Sequence, residues 1–82
     1  MMQRVHVPKY DTQAFYNILC HVCAQEAVDV DWVLNECNTL ATRTARHRAM
    51  KAIREVERAS QVQIAHFFGL TQASVSRMLE QA

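Results

Sequence analysis

Apolar positions recur at helical spacing along almost the whole chain, and short polar residues divide that pattern into five segments. Asp11 stands ahead of the first, Thr12 to about Ala27. At roughly 100° per residue, Ile18, Val22, Phe15, Leu19, Cys23, Tyr16, Ala27 and Cys20 there fill an arc of about 200°. One buried face needs little more than half that width, so this helix is expected to meet both its own core and a second surface. Asp29 or Asp31 caps a short helix that carries Trp32, Val33 and Leu34 and ends near Asn38. Thr39 or Thr42 opens a longer helix reaching about Arg58. Ala45, Ala49, Ala52, Ile53 and Val56 share one side of it, and Arg43, Arg54, His47, Arg58 and Lys51 crowd about 80° on the other. Ser60, with Gln63 three residues on, has the spacing of a capping box for a fourth helix. Thr71 offers its hydroxyl as cap to a fifth, Gln72 to Glu80. Ahead of Asp11, the stretch VHVPKY contains the only proline and is expected as an arm or a short edge strand. The pattern predicts an all-α chain, a compact bundle of about five helices forming a single domain over residues 1–82.

Between the last two segments stands Gly69, the only glycine of 82 residues. Glycine readily takes the positive φ that ends one helix and begins a sharp turn. Around it, Ile64 and Phe68 lie one turn apart and face inward, Ala65 is small where two helices cross, and Leu70 plugs the turn. Val75 and Met78 are the inward positions of the fifth helix, and Leu79 seals its end. That leaves Gln72, Ala73, Ser76 and Arg77 outward near its start. Each suits the edge of a base pair. Glutamine can make two hydrogen bonds to adenine, an alanine methyl can touch a thymine methyl, serine serves base or phosphate, and arginine pairs with guanine or grips a phosphate. Gln61 and Gln63, at the positive end of the fourth helix, suit a phosphate contact, as does Thr71 at the start of the fifth.

Composition sharpens this picture. Eighty-two residues build one modest core with little room for a deep catalytic pocket, so no enzyme activity is expected. The net charge of +1 conceals a division: residues 1–38 carry net −3 and residues 39–82 net +4. An acidic N-terminal pair of helices thus precedes a basic helix over residues 39–59 and the helical pair of 60–82, which suggests a polyanion-binding end and an end with another task. On the basic helix, Arg54 and Arg58 lie nearest the helical pair and are the candidate phosphate contacts, although a solvated surface accounts for the same charges equally well. Arg4 and Lys9 admit a minor-groove arm, and a frayed terminus accounts for them more simply. No apolar run approaches the roughly 18 residues that cross a bilayer, and the first ten residues lack the apolar core of a signal peptide, so a cytoplasmic protein is expected. Cys20, Cys23 and Cys37 are an odd count that suits reduced thiols. The Cys20–Cys23 spacing occurs in zinc sites, with His6, His21 and His47 as further ligands, but it falls within an amphipathic helix and nothing completes the set; no metal, cofactor or small-molecule effector is expected.

Residues 60–80 resemble the helix-turn-helix of bacterial and phage transcription regulators. Counting from Gln61, that family has a small residue fifth, glycine ninth, and apolar residues fourth, eighth, tenth, fifteenth and eighteenth; Ala65, Gly69, Ile64, Phe68, Leu70, Val75 and Met78 stand at those places. The order of elements also resembles Trp-repressor-type proteins, more weakly. The resemblance implies a sequence-specific duplex-DNA-binding protein, a small transcriptional repressor that binds an inverted-repeat operator as a homodimer. With the recognition helix so near the last residue, the dimer surface is expected in the N-terminal helices, at Phe15, Tyr16, Leu19, Val22 and Trp32. Phe67, a large aromatic at a motif position that usually faces solvent, is either a stray exposed residue or one covered by those helices or by the partner copy. An accessory subunit of a recombinase or transposase, and a helical protein-binding adaptor, are the alternative readings.

Overall fold

A computed structural model describes residues 6–35 and 39–80. Within them the chain forms five α-helices and no strand: α1 (Thr12–Glu26), α2 (Val30–Leu34), α3 (Leu40–Glu57), α4 (Gln61–Phe68) and α5 (Gln72–Glu80). Arg4, Glu36, Cys37 and Asn38 lie outside the described residues.

Every helix begins where a short polar side chain accepts a hydrogen bond from its first turn, as an isolated helix end requires. Asp11 accepts from the Ala14 amide (3.1 Å), Asp29 from Asp31 (2.8 Å), Thr39 from Thr42 (3.1 Å), Ser60 from Gln63 (3.1 Å) and Thr71 from Ser74 (3.1 Å). Three helices end at a left-handed residue: Ala27 (φ 56°) after α1, Arg58 (φ 52°) after α3 and Gly69 (φ 70°) after α4. At Ala27 and Gly69 the following amides turn back on the helix. Val28 donates to the Cys23 carbonyl (3.0 Å) and Leu70 to the Ala65 carbonyl (2.9 Å), so the last turn keeps its bonds while the chain reverses.

The core gathers at the crossing of α1, α3 and α4. Phe15, Leu19, Val22 and Cys23 from α1 meet Ala45, Ala49, Met50 and Ile53 from α3, closed below by Ile64, Ala65 and Phe68 of α4 and by Val75 of α5. Alanines at 45 and 49 let α1 approach α3 closely. Phe15, Leu19, Met50, Ile53 and Ile64 are all but fully enclosed, and each such side chain stabilises the fold by about 1.5–3 kcal/mol. α2 adds Val33 and ends at Leu34, earlier than the spacing predicts.

Arg46 is the main surprise of the interior. It is 7% exposed and its guanidinium donates through Nε (3.3 Å) and Nη2 (2.9 Å) to the Val33 carbonyl. That carbonyl belongs to the last turn of α2, where helical partners run out, so Arg46 acts as a C-terminal cap from a neighbouring helix. In the other direction, Val56 shares the apolar side of α3 yet is 67% exposed. Periodicity runs to the end of a helix, whereas the surfaces packed on it need not.

Phe15, Leu19 and Val22 therefore belong to this chain's own core and are not available to a partner copy. Phe67 is engaged as well: its ring meets Phe15 edge to face at 5.6 Å and Phe68 at 5.0 Å. Part of its cover thus comes from α1 of the same chain, and it is half-buried. Of that set, Tyr16 and Trp32 are exposed, at 39% and 58%.

Candidate nucleic-acid interface

The α4–turn–α5 unit follows from its local sequence. Ser60 and Gln63 close both halves of a capping box, the Gln63 amide donating to Ser60 Oγ and the Ser60 amide to Gln63 Oε1 (3.0 Å). Gly69 supplies the left-handed step, Leu70 packs against the core, and Thr71 caps α5. Ile64, Ala65, Phe68 and Val75 are buried, while Leu70 and Met78 are half-buried against the same core.

On α5, Gln72, Ala73, Arg77 and Glu80 are exposed. Ser76, expected outward, is half-buried. With Val75 taken as the inward direction at about 100° per residue, Gln72 and Ser76 fall on one flank of the helix, Ser74 and Met78 on the other, and Ala73 and Arg77 nearly straight outward, Arg77 leaning to the Ser74 side. Glu80 was not singled out by sequence; it sits one turn beyond Ser76 and brings a carboxylate to the outward side.

The basic side of α3 runs beside this helix and forms two grooves with it. The first, about 450 Å³, is lined by Leu40, Arg43, Thr44, Arg46 and His47 of α3 and by Ser74, Arg77 and Met78 of α5. The second, about 570 Å³, brings Lys51, Arg54 and Glu55 to Gln61, Leu79 and Glu80. Arg43, Lys51, Arg54 and Arg77 are all exposed. His47 contributes less than its position suggests, because Nε2 is buried and has no hydrogen-bond partner among the described residues. Arg48 faces elsewhere and pairs with Glu26 of α1 at 3.0 Å.

Two of the expected phosphate contacts stand differently from the sequence reading. Gln63 has its side chain committed at both ends: Oε1 accepts from Ser60, and Nε2 donates to the carbonyls of Pro8 (3.2 Å) and Lys9 (3.1 Å). A glutamine so engaged has no group left for a phosphate. Arg58 occupies the left-handed turn after α3 and lines neither groove. Arg54 and Gln61, by contrast, share the second groove, and Thr71 is exposed with its hydroxyl proton given to Ser74 Oγ.

Gln63 also explains the stretch before α1. Residues 6–10 are neither strand nor helix, yet they cross α4 as a strap. Tyr10 stacks on Phe15 with ring centroids 4.7 Å apart, and its hydroxyl is hydrogen-bonded to His66 Nδ1 at 2.6 Å. Burial pushes the Tyr10 phenol above its ordinary value, with an opposing pull from Thr12. Lys9 keeps its side chain exposed while its carbonyl accepts from Gln63. A signal for it exists: Tyr10 and Phe15 stand at the two positions of a hydrophobic staple around the Asp11 cap.

At the acidic end, burial raises the Cys23 thiol above its ordinary value, helped by Cys20 and Asp29. The Tyr16 phenol is raised too, first by its hydrogen bond with Cys20 and more weakly by Asp31 and Asp29. Among the described residues no group of three His, Cys, Asp or Glu side chains could hold a metal ion, and no helix is long and apolar enough to cross a membrane. No family model, curated protein or solved structure matches the chain.

Proposed function

We propose that this chain is a sequence-specific duplex-DNA-binding protein that lays α5 in the major groove, acting as a small homodimeric transcriptional repressor on an inverted-repeat operator. The observation that carries the proposal is the pairing of two surfaces. Gln72, Ala73 and Arg77 are exposed on a helix set by a glycine turn, beside exposed Arg43, Lys51 and Arg54. Short helices carrying amide, methyl and guanidinium groups read base edges, and flanking cations hold the backbone and fix register. A well-made bidentate pair to a base discriminates by about 1–3 kcal/mol, so a few residues suffice. One such helix covers only a few base pairs, which favours two copies on a symmetric site. Repression needs no further machinery, because occupancy of a promoter blocks it.

Selection of bound sequences from a random duplex pool tests this reading. An enriched inverted repeat with half-sites about one helical turn apart is the expected result. A single asymmetric site would overturn the dimer, and no enrichment would overturn DNA reading itself.

A further inference from the structure

The two outward arginine-bearing helices meet in the first groove, and the meeting assigns Arg77 a partner. On α5, Arg77 points nearly opposite Val75 and leans to the Ser74 flank, about 60° from Ser74 and about 140° from Gln72. That flank forms a groove of about 450 Å³ with α3, where Arg43 and Thr44 stand opposite. Both arginines are exposed, and among the described residues no carboxylate lines this groove. Ser74 accepts a hydrogen bond from the Thr71 hydroxyl at 2.9 Å, which leaves its own hydroxyl proton for another acceptor.

We infer that Arg77 and Arg43 form a clamp for one phosphodiester of the DNA backbone, with Ser74 as an added donor, so that Arg77 positions α5 and base preference resides on the Gln72 flank. The inference rests on the DNA reading above and refines it. Two guanidiniums on one groove, with no carboxylate beside them among the described residues, repel one another, and an anion between them relieves that repulsion. A phosphate accepts from both through charge-assisted bonds, and a guanidinium fork matches its oxygens. A guanine, in contrast, offers acceptors to one arginine and gives the second no role. The second groove differs in holding Glu55 and Glu80 beside Lys51 and Arg54, which makes the first groove the better anion seat.

The test measures binding of the full chain to its selected duplex and to single-base variants of it, over a range of salt, for wild type, Arg77→Ala, Arg43→Ala, the double variant and Gln72→Ala. For each arginine variant the expected result is a similar fold-loss on every sequence. The slope of log affinity against log salt should be shallower by about one. The double variant should lose less than the product of the single losses, because both arginines serve one phosphate. Arg77→Lys should recover the slope and only part of the affinity. Gln72→Ala should instead flatten preference at one base pair. Relaxed preference at a single G·C pair in Arg77→Ala, with the salt slope kept, overturns the clamp in favour of base reading. Unchanged binding by both single variants overturns it while leaving DNA recognition in place. Wild type that binds no duplex overturns the DNA reading itself, a result distinct from either. Both positions are exposed, so each variant should remain folded, which circular dichroism checks.

Discussion

Among the described residues three hold left-handed backbone, and one of them is glycine. At Gly69 (φ 70°) nothing lies within 4 Å of where a Cβ would stand, so a side chain there meets strain and no clash. An L-residue in this region costs about 1–2 kcal/mol, offset in part by a less flexible unfolded chain. Gly69→Ala should therefore lower stability by about 1 kcal/mol, and Ala27→Gly (φ 56° at present) should raise it by up to about 1 kcal/mol. Urea midpoints at unchanged m check both; a loss several-fold larger at Gly69 would mean that the turn does not have this open geometry. The same scale yields a pH dependence. The Cys23 thiol is raised above 9.0 by burial, so above about pH 9 the unfolded chain releases a proton that the folded chain keeps, and stability falls as pH rises. Below that window Cys23 adds no slope. Cys23→Ala should remove part of the alkaline loss in the same urea series, and an identical decline in the variant would assign the loss to other groups.

At the scale of elements, most of what was legible lay in caps. Asp11, Asp29, Thr39, Ser60 and Thr71 each begin a helix, because a short side-chain acceptor and the chain's local geometry suffice to start one. What stayed hidden depends on partners distant in sequence. Arg46 caps a helix end thirteen residues away, and nothing near position 46 states that Val33 offers a carbonyl. Gln63 read as half a capping box, which holds, and as a phosphate contact, which its ties to Pro8 and Lys9 exclude. Those ties make α4 dependent on the strap. Gln63→Ala removes one cap bond and both carbonyl bonds, and should cost about 1–2 kcal/mol. Amide exchange should quicken at Ser60, which loses its acceptor, while the Gln63 amide keeps Ser60 Oγ and stays protected. Equal acceleration at both amides would mean that the whole helix start opens, and that the box is not the unit of stability.

Across the whole molecule, charge is divided between two parts of the chain. Residues 1–38 carry net −3 and residues 39–82 net +4. The acidic part also holds Trp32, 58% exposed, and Tyr16, 39% exposed, which lies near Asp29 and Asp31. If two copies of the proposed repressor join through Tyr16 and Trp32, both basic flanks are left to face a duplex. Such a dimer brings two acidic surfaces together, so its association is opposed by repulsion that salt screens over a Debye length of about 8–10 Å. Phosphate contacts respond oppositely, since each one releases counterions and weakens with salt. The protein alone should therefore dimerise more tightly as salt rises, while its affinity for DNA falls. Sedimentation equilibrium at low and moderate salt measures the first trend and a titration on the selected duplex the second. Trp32→Glu adds a charge at an exposed site, so it should abolish self-association, leave the far-ultraviolet circular dichroism spectrum unchanged and remove any concentration dependence of the melting temperature. A protein that stays monomeric at micromolar concentration in every salt, free and on DNA, would overturn the dimer while leaving the recognition helix to act alone.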